Sequence, residues 1–228
     1  KADTPGFIRE KFIGPAGEDL SELPPEVRLR MAMTELGTTF IKMGQMMSTR
    51  ADLVGPELAK ELSALQADVP PDPPDAVRET LELELGQPVE ELYSEFDLQA
   101  LSSASIGQVH LATLLDGTEV VVKVQHQGIE KKVREDLNII MQLADLAEKH
   151  NEELRRYQPK ATVLEFRRSL MREMDFSIER SSMETFIRNF EEEPQIHIPQ
   201  PYPELSSRRV LTMEKLDGYS VADTDRLQ

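Results

Sequence analysis

Residues 102–123 decide the fold, and they read SSASIGQVHLATLLDGTEVVVK. A turn of small residues is followed by a strand-like run, by Asp116-Gly117, and by a second run of β-branched residues. Asp-Gly between two such runs is a strong signal for a β-hairpin. The stretch therefore predicts three short antiparallel strands between about residues 96 and 125, with the small-residue turn between the first and the second.

Lys123 stands at the end of the β-branched run, where an ammonium group is costly to bury unless it meets an anion. In protein kinases a loop of the form G-x-G-x-x-G-x-V covers the nucleotide phosphates, and a lysine on a following strand contacts them. Ser102, Ala104 and Gly107 occupy the three glycine positions here, and Val109 occupies the valine position. The order of these elements favours a nucleotide site. An edge strand with its lysine in solvent is the alternative.

A carboxylate partner for this lysine is expected on a later helix, which is predicted over residues 162–190. Glu173, Asp175 and Glu179 fall within that range. Asp175 and Glu179 are four residues apart, and like charges at this spacing destabilise a helix slightly unless a cation lies beside them. Lys123 from the sheet could supply that cation, and so could arginines of the same helix.

The composition fits a globular protein and disfavours several classes of binding site. The chain has 228 residues, 39% of them apolar and 30% charged, which is enough for one or two domains. Acidic residues outnumber basic ones by 42 to 26, and the resulting charge of −16 repels nucleic acid. Cysteine is absent and the four histidines have no ligand spacing, so no metal site is predicted. No apolar run approaches the roughly 20 residues of a membrane span, and the N-terminus does not resemble a signal peptide.

Helical patterns precede the predicted sheet. An apolar seam with steps of three and four residues predicts one long amphipathic helix that begins at Pro24-Pro25. The seam consists of Leu29, Met33, Leu36, Phe40, Met43 and Met47. A second, short helix is predicted over residues 56–66. We assign residues 1–70 to an N-terminal helical extension and residues 71–228 to a second domain.

A proline-rich tract at residues 69–75 lies where these two parts meet and predicts a stiff linker. Asp72 as N-cap and Pro73 as first residue begin a further helix that ends at Gly86. After the hairpin, helices are predicted over residues 129–151 and 162–190, and short strands at residues 196–198 and 210–213.

Three motifs, taken in order, resemble the N-terminal half of the UbiB family of atypical kinase-like proteins. The K-x-G-Q motif of that family corresponds to Lys42-Met43-Gly44-Gln45. Its alanine-rich replacement of the glycine-rich loop corresponds to residues 102–105, which here read Ser-Ser-Ala-Ser and so leave the choice between ATP and ADP open. Its E-x-D motif corresponds to Glu173-Met174-Asp175, with Glu179 at the position of the helix-C glutamate. The resemblance covers about residues 24–220.

The resemblance implies an α+β fold, a protein-kinase-like N-lobe in which a small antiparallel sheet packs with helix C. Added N-terminal helices would precede it, and inserted helices would account for residues 124–178 between Lys123 and Glu179. The N-lobe would end at the hinge. The C-lobe, with the catalytic loop and the metal-binding residues, is expected to be absent from this chain.

The resemblance also assigns candidate site residues, with Lys123 and Glu179 as the expected catalytic pair. The residues expected to contact nucleotide are Ser102, Ser103, Ala104, Ser105, Ile106, Gly107, Val109, Val121, Met213 as gatekeeper, and Glu214 and Leu216 through backbone groups. The expected regulatory residues are Lys42, Gly44, Gln45, Glu173 and Asp175. In this family the K-x-G-Q helix is understood to fold over the cleft, and the E-x-D residues help to hold it there. We expect Gly44 to admit a neighbouring backbone.

The function implied by the resemblance is that of an atypical kinase or ATPase that binds ATP or ADP with Mg²⁺ and supports isoprenoid-quinone biosynthesis. The magnesium ligands would lie in the missing C-lobe, so this chain alone should not turn over ATP. Quinone-biosynthesis proteins or an isoprenoid lipid are the expected partners, in the cytoplasm or at the periphery of the inner membrane, with membrane association through a segment beyond this chain. Two alternatives remain: a nucleotide-sensing scaffold without phosphotransfer, and a helical interaction domain without a nucleotide site.

Overall fold

The structure, a computed structural model, describes residues 23–66 and 69–218 of the chain. Its contacts divide the chain into two compact units, one of residues 1–67 with 143–160 and one of residues 68–142 with 161–228. The sequence predicts one boundary at residue 70 and does not separate residues 143–160 from their neighbours.

Helices of four to 22 residues and one small sheet dominate the described residues, which confirms the predicted α+β class. The helices are α1 Pro25–Leu36, α2 Thr38–Ser48, α3 Ala51–Val54, α4 Pro56–Leu62, α5 Pro74–Leu85, α6 Val89–Leu92, α7 Ile129–His150, α8 Glu152–Arg155, α9 Pro159–Glu173 and α10 Phe176–Asn189. The strands are β1 Tyr93–Phe96, β2 Ser102–Ser103, β3 Gly107–Leu114, β4 Glu119–Gln125 and β5 Val210–Glu214, and Pro203–Leu205 forms a 3-10 turn. The helix predicted over residues 129–151 is confirmed as α7. Among the described helices, none is both long enough and apolar enough to cross a bilayer.

The first unit has a small apolar core in its N-terminal helices. Buried Met33, Ile41, Leu62 and Leu65 form it, and Phe40, Met43, Met47 and Leu58 pack alongside. The single long helix predicted here is wrong, because Gly37 has a φ of 92° and separates α1 from α2. Glycine takes this conformation far more readily than other residues. Of the predicted seam on α1, Met33 is buried, whereas Leu29 and Leu36 are 41% and 52% exposed.

The second unit contains a five-stranded antiparallel sheet in the order β1-β3-β4-β5, and β2 pairs with the start of β3. The predicted hairpin is confirmed: β3 and β4 turn at Asp116-Gly117, where Gly117 has a φ of 89°. The Asp116 carboxylate accepts the Thr118 N–H at 2.9 Å and closes this turn. The strand predicted at residues 210–213 is confirmed as β5. The strand predicted at residues 196–198 is wrong, because prolines on both sides of the segment limit pairing.

One face of the sheet forms the main core of this unit. Every second residue of β3 and β4 points to that face, so burial alternates along both strands. The buried core residues are Val77, Leu81, Val89, Leu92, Tyr93, Ala112, Leu114, Val120, Val122, Val124 and Val210. They include residues of α5 and α6, which therefore cover this face. Lys123 belongs to the opposite face.

The helix predicted over residues 162–190 is two helices, α9 and α10, which meet at Met174 and Asp175. Asp175 has extended backbone angles and accepts the Ser177 N–H at 3.1 Å, so it is the N-cap of α10. Asp175 and Glu179 are therefore not a like-charge pair within one helix, and that prediction is wrong.

The helix that follows the proline-rich tract begins at Pro74, and Pro73 is its N-cap. A proline is tolerated at the first helical position because its missing N–H would have no partner there. The prediction of Asp72 as N-cap is therefore wrong. The Asp72 carboxylate instead contacts His126 and accepts a hydrogen bond from Gln127, at the end of β4.

Candidate functional site

Lys123 and Glu179 form an ion pair in the second unit. Lys123 Nζ donates to Glu179 Oε2 at 2.6 Å and lies 4.6 Å from the centroid of the Phe176 ring. The lysine belongs to β4, and the carboxylate belongs to the first turn of α10. The two residues that the resemblance pairs are thus in contact, although 56 positions separate them in sequence. Their catalytic role stays a prediction.

This ion pair contributes little to stability. The two side chains are 29% and 42% exposed, and exposed ion pairs contribute about 0–1 kcal/mol. The Phe176 ring, which is 1% exposed, makes a cation–π contact with the ammonium group and further limits its movement. An ammonium group has three N–H donors, so Lys123 can bind an anionic ligand while it contacts Glu179.

An apolar surface adjoins the ammonium group on the same face of the sheet. Val109 lies directly opposite Lys123 in the register of β3 and β4, and Val121 lies directly opposite Met213 in that of β4 and β5. Val121 and Lys123 are two residues apart on one strand, so all four side chains share a face. Val109, Val121 and Met213 are half-buried there. The surface has the apolar character that an aromatic base requires.

The loop at residues 102–107 is a tight turn that joins β2 to β3. The Ala104 N–H donates to Gly107 O at 2.9 Å and closes the turn. Ser102 and Ala104 are exposed, Ser103 is half-buried, and Ser105, Ile106 and Gly107 are buried. The first half of the loop is therefore the accessible half.

Gly107 is required by the sheet itself. A Cβ atom at this position would lie 2.5 Å from Val124 O and 3.2 Å from Gln125 Cα, closer than side chains approach a neighbouring backbone. The first residue of β3 can therefore pair with β4 only as glycine. This requirement for glycine does not depend on a ligand.

Sequence reasoning missed a buried histidine behind the loop. The His126 side chain is 5% exposed; its Nε2 donates to Ala104 O at 2.9 Å, and its Nδ1 lies 3.1 Å from Asp72 Oδ1. The second Asp72 oxygen accepts the Gln127 N–H at 2.8 Å. The one local signal is that His126 follows Lys123 by three residues. Asp72 is 54 positions away, and no local pattern indicates that contact.

The predicted hinge follows Met213 at the end of β5. The Glu214 N–H donates to Gln200 O at 2.8 Å, and the Glu214 carboxylate accepts His197 Nε2 at 2.9 Å and the Gln200 N–H at 3.1 Å. An adenine contact at Glu214 would therefore use its backbone carbonyl and not its N–H. Leu216, the other predicted contact, is 46% exposed.

The K-x-G-Q residues lie on α2 within the first unit. Gln45 Nε2 donates to Leu65 O at 3.0 Å, and Lys42 is half-buried. A Cβ atom at Gly44 would collide with the Leu65 side chain and lie 3.0 Å from Met33 Sδ. Gly44 therefore admits neighbouring side chains, whereas the sequence predicted a neighbouring backbone. The regulatory role of this motif stays a prediction.

The E-x-D residues lie at the junction of α9 and α10. Glu173 is the last residue of α9, and Asp175 caps α10. Asp175 Oδ2 lies 3.7 Å from Arg208 Nε, and the Phe176 N–H donates to Arg208 O at 2.9 Å. Asp175 thus helps to fix the start of the helix that carries Glu179. The predicted hold of these two acids on the K-x-G-Q helix stays a prediction.

Comparison with known proteins assigns the family. Residues 64–228 match the ABC1 atypical kinase-like domain. The chain is 41% identical over 201 residues to "Probable protein kinase UbiB" of Marinobacter nauticus, which covers 88% of this chain and 37% of that protein. It is 39% identical over 207 residues to the protein of the same name from Pseudomonas aeruginosa, covering 91% and 39% of the two.

A solved structure is also similar. It is that of Rv3197 from Mycobacterium tuberculosis in complex with erythromycin, with a TM-score of 0.61 and 28% identity over 69% of this chain and 39% of that one. The chain spans 37% to 39% of the length of the curated relatives named above. Its antiparallel sheet, packed with the helix that carries Glu179, is a protein-kinase-like N-lobe. The chain belongs to the UbiB family of ABC1 atypical kinase-like proteins.

Proposed function

We propose that this chain supplies the nucleotide-binding part of an atypical kinase or ATPase. The observation that carries the proposal is the contact between Lys123 and Glu179 on the sheet face that also holds Val109, Val121 and Met213. Nucleotide phosphates require a cation and the base requires an apolar surface. Both lie next to each other here, and the relatives named as probable protein kinases support the same reading.

ADP or ATP would use these residues in separate roles. Lys123 would bind the phosphates, Glu179 would hold the lysine in place, and residues 102–104 would cover the phosphates. The base would pack on the apolar surface beside the Glu214 carbonyl. Bound ATP would supply the phosphoryl group for transfer or hydrolysis.

We propose that the magnesium ligands lie in a part of the protein beyond the hinge. Mg²⁺ is usually held by one or two carboxylates together with substrate phosphates, and in kinases those carboxylates lie beyond the hinge. On this view the present chain binds nucleotide without turning it over.

The physiological role we propose is support of isoprenoid-quinone biosynthesis, by extension from the relatives named UbiB. The partner would be a quinone-biosynthesis protein or an isoprenoid lipid, met in the cytoplasm or at the periphery of a membrane. The net charge of −16 disfavours nucleic acid as a partner.

Nucleotide titration of the whole protein tests the proposal. We expect the wild type to bind MgADP or MgATP and Lys123→Ala to weaken binding at least about tenfold, or about 1.4 kcal/mol. The melting temperature should change little, because the two side chains are only partly buried and such ion pairs contribute little to stability. Failure of the wild type to bind either nucleotide, or unchanged affinity of Lys123→Ala, would contradict the proposal. Binding without turnover would indicate a nucleotide-sensing scaffold instead of a phosphotransferase.

A further inference from the structure

A buried histidine connects the loop at residues 102–107 to the rest of the second unit at two points. The His126 backbone N–H donates to Ile106 O at 3.0 Å, and its side chain donates from Nε2 to Ala104 O at 2.9 Å. Ser103 Oγ lies 3.4 Å from the same ring nitrogen. One residue directly after β4 therefore contacts three residues of the loop, Ser103, Ala104 and Ile106.

Asp72 fixes the orientation of this ring. Its Oδ1 lies 3.1 Å from His126 Nδ1, its Oδ2 accepts the Gln127 N–H at 2.8 Å, and its own N–H donates to Gln108 Oε1 at 3.0 Å. The two ring nitrogens thus each contact an oxygen atom, Nδ1 that of Asp72 and Nε2 that of Ala104, and the two contacts together set the orientation of the ring.

The loop needs such an anchor because its own side chains are small. Residues 102–105 read Ser-Ser-Ala-Ser, and none of them has a large apolar side chain to bury. A flexible loop would lose conformational entropy on covering a ligand, whereas an already ordered loop avoids that cost. The bond from His126 also holds the Ala104 carbonyl, whose partial negative charge would otherwise be free to turn toward phosphate.

We propose that His126, oriented by Asp72, is a positioning residue that holds the loop ready to cover nucleotide phosphates. This inference rests on the nucleotide site proposed above. His126 belongs to none of the K-x-G-Q, loop and E-x-D motifs. On this proposal, its contact with Ala104 holds the conformation of the loop.

Two matched substitutions separate positioning from packing. His126→Gln places an amide N–H near the position of Nε2 and can keep the bond to Ala104 O. His126→Asn places its amide N–H near Nδ1 and can keep the bond to Asp72 while it loses the loop. In the whole protein we expect His126→Gln to bind MgADP within about twofold of the wild type and His126→Asn to bind about tenfold more weakly, the size of one lost hydrogen bond.

Amide hydrogen exchange gives a second readout that needs no nucleotide. The Ala104 N–H, which donates to Gly107 O, should exchange faster in His126→Asn and not in His126→Gln. Asp72→Ala, which removes the oxygen that Nδ1 contacts and leaves the ring in place, should raise this exchange too, and it provides the test if the His126 variants do not fold.

Equal effects of the two His126 substitutions on affinity and on exchange would overturn the inference, and so would exchange that neither His126→Asn nor Asp72→Ala alters. If the wild type binds no nucleotide but the exchange difference is present, the loop anchor stands and the nucleotide site fails. A different outcome separates the two proposals the other way. If the wild type binds nucleotide and Lys123→Ala does not, the nucleotide site is supported. If the two His126 variants then behave alike, the loop anchor is contradicted.

Discussion

Asp175 begins the helix that places Glu179 against Lys123. Its carboxylate accepts the Ser177 N–H at 3.1 Å, and Glu179 follows in the first turn of α10. A helix N-cap of this kind fixes where the helix starts, and the direction of the side chains in the first turn depends on that start. The second acid of the E-x-D motif thus acts on the Lys123–Glu179 pair through helix α10, whatever other contacts it makes.

Asp175→Ala should therefore lower both stability and nucleotide affinity. Loss of an N-cap costs about 1 kcal/mol in the free energy of unfolding. Asp175→Asn is the matched control, because asparagine caps helices as well as aspartate does, although it loses the charge that faces Arg208. In urea unfolding, the free energy of unfolding should decrease from the wild type to Asp175→Asn and again to Asp175→Ala. If the Asn variant is as unstable as the Ala variant, the charge and not the cap is what matters.

The parts of the fold that depend on neighbouring residues could be predicted from the sequence. Asp116-Gly117 between two β-branched runs specifies its hairpin locally, and the run that ends at Lys123 specifies β4. The pairing of Lys123 with Glu179 was expected only through the family resemblance, because the spacing of acidic residues alone left several cations possible.

The parts that depend on backbone conformation or distant partners could not be predicted. Gly37 is compatible with a continuous helical seam, and only the positive φ in the structure reveals the break. The junction at Asp175 is hidden for the same reason, since an aspartate can sit within a helix or cap one. The contact of His126 with Asp72 joins residues 54 positions apart and leaves no periodic pattern.

Gly107→Ala should destabilise the second unit without touching a ligand. The added Cβ would meet Val124 O at 2.5 Å, and because that atom belongs to the backbone of β4 the strands must separate. Overpacking of this kind costs about 1–3 kcal/mol. Gly218→Ala is the control, because within residues 23–66 and 69–218 no heavy atom other than those of its chain neighbours lies within 4 Å of its added Cβ. Equal thermal stability of the two variants would contradict the packing role of Gly107.

A buried pair of hydroxyl groups joins β1 to β5. Thr212 Oγ1 donates to Leu205 O at 2.7 Å, so the Tyr93 hydroxyl, 2.8 Å away, must donate to Thr212. Burial raises the pKa of Tyr93 to about 12, which keeps this donor protonated over the usual pH range. The direction of the two bonds predicts an order of stabilities.

Tyr93→Phe removes one donor and leaves the Thr212 bond to Leu205 in place, so it should cost about 1 kcal/mol. Thr212→Val has almost the same shape but leaves both the Tyr93 hydroxyl and the Leu205 carbonyl without this partner, so it should cost more, about 1–3 kcal/mol. Urea unfolding of the two variants and the wild type measures the order. The reverse order would show that the hydroxyl of Tyr93 and not that of Thr212 is the central group.

His110 should make the stability of the second unit depend on pH. The ring is fully buried and donates from Nδ1 to Asp97 O at 2.8 Å, and among the described residues Nε2 has no hydrogen-bond partner. Burial lowers the pKa of His110 below its ordinary value of 6.5, against the smaller opposing effects of the Asp97 backbone and of the Asp97 and Asp72 charges. The folded state therefore disfavours the protonated ring.

The sign of the effect follows from proton binding. Below pH 6.5 the unfolded chain binds a proton at this histidine more readily than the folded chain does, so the free energy of unfolding falls as the pH falls. The loss ends below the folded pKa, and its slope cannot exceed about 1.4 kcal/mol per pH unit for one group.

His110→Asn, which can keep a donor to Asp97 O but does not titrate, serves as the control. Urea unfolding between pH 8 and pH 5 measures the free energy of unfolding of the wild type and of the variant. The difference between the two should be constant above about pH 7 and shrink at lower pH. All other titrating groups are common to both proteins, so they do not contribute to this change. A difference that stays constant across the whole range would mean that His110 takes up its proton equally well in the folded protein.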